Sequence, residues 1–359
     1  MFPPNPYKLL PDKAFWRRSV ANRAKHDVDP VGIFNLTILE QTKVATAGSC
    51  FAQHIARHLR KSGYNYYVAE NGHPLLSSEV KELNNFGTFS ARYGNIYTAR
   101  QLKQLAQRAL GVFRPDEGAW RNATGQILDP FRPTVQPGGF SSEAEMLADR
   151  AQHLNHVREM FANLDVFIFT LGLTECWRSK SDGAVFPLCP GVEGGDFSEE
   201  SYDFYNQSVD DVVNDINDFM SMLKAMNPTA QVVLTVSPVP LMATAEPGSH
   251  VLDATTYSKA VLRVAAESIR KERSDVHYFP SFEIITGIFS RGSYFASDLR
   301  TVTEEGVSHV MRLFIAHAGG RTVSPNALDE AMSSASSTEQ IAAAFVDVEC
   351  DEIALDRPS

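Results

Sequence analysis

The most informative stretch of this chain is residues 42–52, where a short apolar run ends at Gly48 and a helix-like segment follows at once. The junction carries a hydroxyl at Ser49 and a thiol at Cys50. In open parallel sheets ligands bind at the carboxyl ends of the strands, and a helix that begins there offers unpaired N–H groups and a positive dipole end. Ser49 and Cys50 are therefore the first candidate nucleophiles.

Short β-rich runs alternate with helix-like stretches along most of the chain. This alternation is typical of βαβ units and predicts an α/β fold, a three-layer α/β/α sandwich around a mostly parallel five-stranded sheet. The expected strands lie near residues 42–47, 64–69, 165–171, 231–236 and 276–279. The expected helices span 51–62, 98–110, 141–162, 208–227, 256–273 and 302–317.

Composition excludes several classes of protein. The 359 residues are 43% hydrophobic and carry a net charge of −10, so the balance favours a globular domain and no nucleic-acid partner. Four cysteines without C-x-x-C spacing do not form a disulfide framework, which favours a reducing cytoplasm. No stretch approaches the roughly 18 consecutive apolar residues of a membrane span, and the N-terminus lacks a secretory-signal layout. Homo-oligomer formation is left open.

The two ends of the chain differ from its middle. Prolines, aromatics and basic residues near the start predict an N-terminal arm over residues 1–30, followed by the α/β domain over 31–320. Beyond Val323 eight acidic residues stand against the single basic Arg357. Such a composition predicts a flexible acidic tail over 321–359.

The block Gly-Ser-Cys-Phe-Ala at 48–52 resembles the signature of the GSCFA family, a group of bacterial proteins similar to SGNH/GDSL esterases and acyltransferases. Further stretches resemble blocks of that family, so the resemblance covers about residues 5–318. These stretches are Asn85–Thr98, Thr170–Glu175, Thr235–Pro240 and Tyr257–Lys259. The resemblance implies an SGNH-hydrolase-like fold and chemistry on an acyl carbonyl.

In the SGNH pattern a Gly-Asp-Ser block ends the first strand and its serine attacks the substrate. Aligning Gly48 with that glycine puts Cys50 at the nucleophile position, with Ser49 as the second candidate and a structural turn as the alternative. A thiol at a helix N-terminus has its pKa lowered and becomes a competent nucleophile. His54 lies one helical turn after Cys50, so the two side chains can meet.

The third SGNH block falls at Gly172-Leu173-Thr174-Glu175, after an apolar strand. Glu175 stands where that pattern has an amide or acid pair. Oxyanion donors would then be backbone N–H groups at residues 49–51 and in the Gly172 loop, Thr174, or an amide from Asn85 or Asn95. Ser237 at a later strand end and Lys259 at a helix start are further candidates for the substrate site, with Glu175 or Asp298 as the expected partner of Lys259.

The last SGNH block, Asp-x-x-His, reads Asp298-Leu299-Arg300-Thr301 in this chain, so the expected histidine is absent. Threonine cannot take a proton from a nucleophile near neutral pH. Asp298 is kept as the residue that orients a base, and His54, His250 and His309 are the alternatives for the base itself.

Other chemistries find less support. Cys50, His54 and His58 fall on one helical stripe and offer zinc donors, but no further ligand spacing completes a recognised site. Phosphate-binding glycine motifs and the G-x-S-x-G elbow are missing. We therefore expect no metal and no cofactor.

The sequence predicts an SGNH-like hydrolase or O-acyltransferase that acts on an ester of a carbohydrate or another small polar molecule. The family resemblance is the ground for the carbohydrate. The rival prediction is a binding or scaffold protein that has the fold but lacks the Asp-x-x-His base.

Overall fold

Near-continuous apolar runs form the central sheet of the computed structural model, which describes residues 5–319 and 351–356. The strands are β1 (Val44–Gly48), β2 (Trp120–Arg121), β3 (Ile127–Leu128), β4 (Val166–Leu171), β5 (Glu175–Ser179), β6 (Val185–Phe186), β7 (Tyr202–Asn206), β8 (Gln231–Val236) and β9 (Val276–Tyr278). The central sheet has the order β1, β4, β8, β9, and every neighbouring pair is parallel. All residues of β1 and β4 are buried, as expected for parallel strands covered on both faces.

Helices flank this sheet and confirm the predicted α/β class. They are α1 (Cys50–Lys61), α2 (Ser78–Leu83), α3 (Ala99–Ala109), α4 (Glu143–Asn163), α5 (Val209–Met226), α6 (Val251–Glu272), α7 (Ser281–Thr286) and α8 (Glu304–Ala318). Five of the six predicted helices match within two residues at each end. Helix α6 begins five residues earlier than predicted, because the ring of His250 caps it by accepting a hydrogen bond from the Leu252 amide.

The predicted count of five strands is wrong, because residues 64–69 contribute only a single bridge between Tyr66 and Val44. Beyond Val44 the segment at Ser90 forms hydrogen bonds at the edge of β1 where a fifth strand would pair. The Ser90 hydroxyl accepts the Thr46 amide at 3.0 Å, and the Ala69 amide donates to the Ser90 carbonyl at 2.8 Å. The segment therefore leaves the sheet after one pairing, and the central sheet has four strands.

A second sheet, which no sequence pattern predicted, is antiparallel and has the order β6, β5, β7. Its central strand β5 starts at Glu175, four residues after β4 ends at Leu171. The small hairpin of β2 and β3 is also antiparallel. The second sheet thus grows directly out of the loop that follows β4.

The chain divides into two units, and each is described by itself. The sheet unit comprises residues 39–278 and 347–359, and the terminal unit comprises residues 1–38 and 279–346. In the terminal unit the ring of Phe34 makes edge contacts with Phe279 and Phe314, and the Ile38 amide donates to the Ala318 carbonyl at 2.7 Å.

The division into an arm, a domain and a tail at residues 30 and 320 stays a prediction. Apart from a short 3-10 helix at Asp351–Asp356, the predicted tail lies outside the described residues. Among the helices described, none combines the length and apolar character needed to cross a bilayer.

Candidate functional site

The junction between β1 and α1 requires a glycine at position 48. Gly48 has a φ of +143°, and a Cβ atom there would lie 2.5 Å from the carbonyl oxygen of Thr170 on β4. No L side chain fits this conformation and this close approach without displacing the neighbouring strand. The glycine lets β1 run against β4 up to its last residue, which fixes where Ser49 and Cys50 emerge.

Ser49 occupies the N-cap position of α1 but makes no capping hydrogen bond with its side chain. The residue is 4% exposed, and among the described residues its Oγ has no hydrogen-bond partner. An unsatisfied buried hydroxyl is uncommon, and it costs free energy to keep. Ser49 thus places an unengaged oxygen at the carboxyl edge of the sheet.

Cys50 is the first residue of α1 and is buried, with 6% of its surface exposed. The partial positive charge at the start of a helix favours the thiolate form of a cysteine over the thiol. His54 follows one turn later and is half-buried, with its ring centroid 5.9 Å from that of Phe51. Because side chains at i and i+4 share a helix face, Cys50 and His54 lie on the same side of α1.

Gly172, just after β4, lies directly against this junction. A Cβ atom on Gly172 would be 3.1 Å from the Cβ of Ser49 and 3.0 Å from the Tyr97 carbonyl oxygen. That carbonyl accepts the amides of Gly172 at 3.0 Å and of Leu173 at 2.9 Å. The structure therefore brings Gly172 to Ser49, but both amide donors of this loop are already engaged.

Lys259 reaches the same loop from α6. Its side chain is buried, and Nζ donates to the Gly172 carbonyl at 2.7 Å. The expected partner of this lysine was Glu175 or Asp298. The carboxylate of Glu175 instead accepts the Thr244 hydroxyl at 2.7 Å and the Ala245 amide at 3.4 Å, and burial raises its pKa above the ordinary value.

Thr174 is fully buried and has its donors engaged. Its amide donates to the Ser258 hydroxyl at 3.0 Å and its own hydroxyl donates to Asn206 Oδ1 at 2.7 Å. Ser237, at the end of β8, is also buried, and its hydroxyl accepts the Val239 amide at 3.3 Å. Both residues hold the loops at the carboxyl edge of the sheet in place.

The two candidate asparagines lie on the segment between α2 and α3 and line one small cavity together with Gln53. Asn95 is buried and accepts a hydrogen bond from Gln53 at 3.4 Å, while its neighbour Ile96 donates to the Gly48 carbonyl at 2.9 Å. Asn95 therefore lies beside the first turn of α1. Asn85 has a φ of 61° and its amide points to the carbonyl of Thr134 at 3.4 Å.

The other predicted catalytic residues have local partners. His250 caps α6, as described above. In the terminal unit, His309 Nδ1 lies 2.8 Å from the Tyr294 hydroxyl, and burial together with the charge of Arg312 lowers the pKa of His309 to about 4. The Tyr294 hydroxyl is protonated near neutral pH, and burial raises its pKa further, to about 12.

Asp298 is exposed in the terminal unit and accepts the amides of Arg300 and Thr301 at 3.0 and 2.9 Å and the Thr301 hydroxyl at 2.5 Å. Partial burial opposes ionisation, but these hydrogen bonds outweigh it and lower the pKa of Asp298. The threonine at the position of the expected histidine thus binds the carboxylate that would orient that histidine.

Sequence reasoning missed several residues that shape the site, above all Tyr97 and the apolar side chains of the second sheet. The sequence contains little signal for the latter, because β5 (Glu-Cys-Trp-Arg-Ser) and β7 (Tyr-Asp-Phe-Tyr-Asn) do not alternate regularly between polar and apolar residues. Among the described residues, no cluster of three or more His, Cys, Asp or Glu side chains is placed to hold a metal ion.

A parallel α/β sheet with candidate nucleophiles at the end of its first strand defines the general class of this protein. The family model described as "GSCFA family" matches residues 43–314, and the chain belongs to that family. No curated protein matches the chain in sequence.

Several solved structures show distant similarity, and two of them are esterases. One is a carbohydrate esterase family 2 enzyme with a carbohydrate-binding domain from Corynascus thermopiles (Myceliophthora fergusii), at 10% identity and a TM-score of 0.29 over 84% of this chain and 69% of that chain. The other is the acetyl xylan esterase Est2A of Butyrivibrio proteoclasticus, at 12% identity and a TM-score of 0.23 over 70% of this chain and 57% of that chain. The match thus spans less than two thirds of the Butyrivibrio enzyme.

Proposed function

We propose that this protein is an ester hydrolase or O-acyltransferase whose nucleophile is Cys50. The observation that carries the proposal is the placement of Cys50 at the first position of α1, directly after β1, with Gly172 packed against the preceding Ser49. This arrangement puts a thiol in the field of a helix N-terminus at the edge of the sheet where α/β proteins bind ligands.

In the proposed reaction the Cys50 thiolate attacks the ester carbonyl and forms a C–S bond. Backbone N–H groups at the start of α1 stabilise the oxyanion, because the Gly172 and Leu173 amides are engaged by Tyr97. The amide side chain of Asn95 is the proposed further donor, since Asn95 lies beside this helix turn. The C–O bond of the ester then breaks and the alcohol leaves with a proton.

His54 is the proposed proton carrier, because it follows Cys50 by one turn in the same unit. It takes the thiol proton and returns it to the leaving alcohol. Water, or the hydroxyl of a second alcohol, then attacks the thioester and gives its proton to His54. The C–S bond breaks, the acid or the new ester is released, and the thiol is regenerated. Family resemblance is the ground for a carbohydrate as the alcohol.

The test is hydrolysis of p-nitrophenyl esters and of an O-acetylated monosaccharide by the parent protein and two variants. Cys50→Ala is expected to lower kcat/KM by at least about 10²-fold, as removal of a covalent nucleophile does. Ser62→Ala, at the far end of α1, serves as the control and should retain activity. Full activity in Cys50→Ala, or no turnover by the parent, would overturn the proposal.

One observation favours a second candidate, a binding protein without turnover. Thr301 stands where the SGNH pattern has its base, and it satisfies the carboxylate of Asp298. A parent protein that binds the O-acetylated monosaccharide but never hydrolyses it would support this alternative.

A further inference from the structure

An apolar cavity of about 290 Å³ lies in the sheet unit beside the loop that follows β4. Aromatic and aliphatic side chains form most of its wall, among them Trp177, Phe186, Leu188 and Phe204 from the second sheet and its loops and Leu241 from the loop after β8. A cavity of about 150 Å³ lined by such side chains holds one benzene molecule. This cavity has about twice that volume, which suits a group of roughly ten non-hydrogen atoms.

The cavity is connected to the candidate nucleophile site through the Gly172 loop. Tyr97 and Leu173 both line it, and they belong to one buried apolar cluster with Leu241. Tyr97 and Leu173 also flank Gly172, because the Tyr97 carbonyl binds the amides of both Gly172 and Leu173. Since Gly172 also packs on Ser49, contacts run from the start of α1 through the Gly172 loop to two residues that line the cavity.

The polar groups of the wall argue for a neutral occupant. The carboxylate of Glu175 lines the cavity and is held there by Thr244 and Ala245. A second carboxylate, Glu246, lies near Glu175; burial is the larger cause of the raised pKa of Glu175, and the charge of Glu246 adds to it. A ligand carboxylate would meet like charge in this low-dielectric region.

Two cysteines of the wall behave as apolar groups. Burial raises the pKa of Cys176 to about 12 and that of Cys189 to about 11, so both thiols stay protonated near neutral pH. The chain's own segment at Asp351–Asp356 contributes Glu352 and the half-exposed Leu355 to the same wall. The cavity is thus bounded by residues of one unit.

We propose that this cavity binds the acyl group of the substrate, which selects esters of medium-length or aromatic carboxylic acids over acetyl esters. The inference rests on the proposed ester chemistry at Cys50 and adds the acyl class to it. Each methylene buried in such a cavity strengthens binding by about fourfold.

Binding is measured by calorimetry on the full chain with two neutral, unreactive acyl analogues, acetamide and hexanamide. The parent is expected to bind hexanamide at least tenfold more tightly than acetamide. Two cavity-filling variants, Val192→Phe and Ala243→Phe, should each remove this preference. Ala151→Phe, on the exposed face of α4, is the control and should keep it.

A second arm compares kcat/KM for p-nitrophenyl acetate and p-nitrophenyl hexanoate. A preference for hexanoate that both cavity variants lose supports the acyl pocket. Turnover of acetate without any hexanamide preference would overturn the pocket and leave the proposed function standing. Hexanamide binding that depends on the cavity, with no ester turnover at all, would overturn both the proposed function and the acyl assignment.

Discussion

Gly172 approaches Ser49 so closely that a Cβ atom on the glycine would lie 3.1 Å from the Cβ of the serine. Ser49 follows β1 and Gly172 follows β4, and these two strands are parallel neighbours in the central sheet. Their pairing runs from Val44 opposite Val166 to Gly48 opposite Thr170. This pairing sets the candidate nucleophiles against the loop that begins the second sheet. The contact between the β1–α1 junction and the loop after β4 therefore positions Ser49 and Cys50 in the candidate site.

The Gly48→Ala variant tests how strictly the junction depends on backbone geometry. We expect a loss of about 3–5 kcal/mol in the free energy of unfolding, because the variant combines an unfavourable φ with a clash against the Thr170 carbonyl. Urea denaturation measures this loss. Gly118→Ala is the control, since its added Cβ meets only Glu143 at 3.6 Å and should cost less than about 1 kcal/mol. Equal losses in both variants would contradict the assigned role of Gly48.

Ser49→Ala tests whether the buried hydroxyl is really unsatisfied. The substitution should leave the free energy of unfolding within about 0.5 kcal/mol or raise it by about 1 kcal/mol, because no capping bond is lost and an unpaired buried group is removed. Ser208→Ala is the matched control at another N-cap. Ser208 accepts the Asp211 amide at 3.2 Å, so its loss should cost about 1 kcal/mol. A comparable cost at Ser49 would mean that its hydroxyl does cap α1.

The ion pairs between Asp215 on α5 and two basic residues on α3 are expected to stabilise the packing of these helices. The Asp215 side chain is 1% exposed and binds Arg100 at 2.6 Å and Lys103 at 3.0 Å, both on α3. Asp215→Ala should cost about 3–5 kcal/mol in thermal or urea unfolding, because the two cations lose their buried partner. The control is Asp218→Ala, which removes a 58% exposed partner of Lys103 and should cost less than about 1 kcal/mol.

The lowered pKa of His309 predicts that the free energy of unfolding decreases in acid. Because burial lowers the pKa of His309 to about 4 in the folded chain, the unfolded chain takes up a proton first as the pH falls through about 6.5. Between about pH 6.5 and 4 this group should therefore remove about 3 kcal/mol of stability. His309→Gln should flatten the stability profile over that range, measured by denaturation at several pH values, while His26→Gln at an exposed site should not. A profile unchanged by His309→Gln would refute the assignment.

The sequence contained enough information for most of the sheet and helices. Strands β4 and β8 are long apolar runs whose burial on both faces leaves little alternative, and α3 and α5 begin at capping boxes, Thr98 with Gln101 and Ser208 with Asp211. The failure at residues 64–69 has a tertiary cause. The side chain of Ser90, which is 44 positions after Thr46 in the sequence, accepts the Thr46 amide and occupies the edge of β1.

The same distinction applies to the candidate site: local sequence patterns predicted part of it, and contacts between residues distant in sequence form the rest. Strand ends predicted that Gly48, Ser49 and Gly172 would meet, because parallel strands end at one edge. The bond from Lys259 to Gly172 joins residues 87 positions apart, and the bond from Thr174 to Asn206 crosses the unpredicted second sheet. No local pattern encodes these contacts, so the engaged state of the Gly172 loop could not be read from the sequence.

The most direct measurement of the central claim is trapping of the acyl-enzyme. The parent is mixed with p-nitrophenyl hexanoate, quenched in acid within seconds, and analysed by intact mass and peptide mapping. We expect one hexanoyl group per chain, bound as a thioester to Cys50, with Cys176 and Cys189 unmodified and no adduct in Cys50→Ala. Acylation that persists in Cys50→Ala, or that maps to Ser49, would contradict the account.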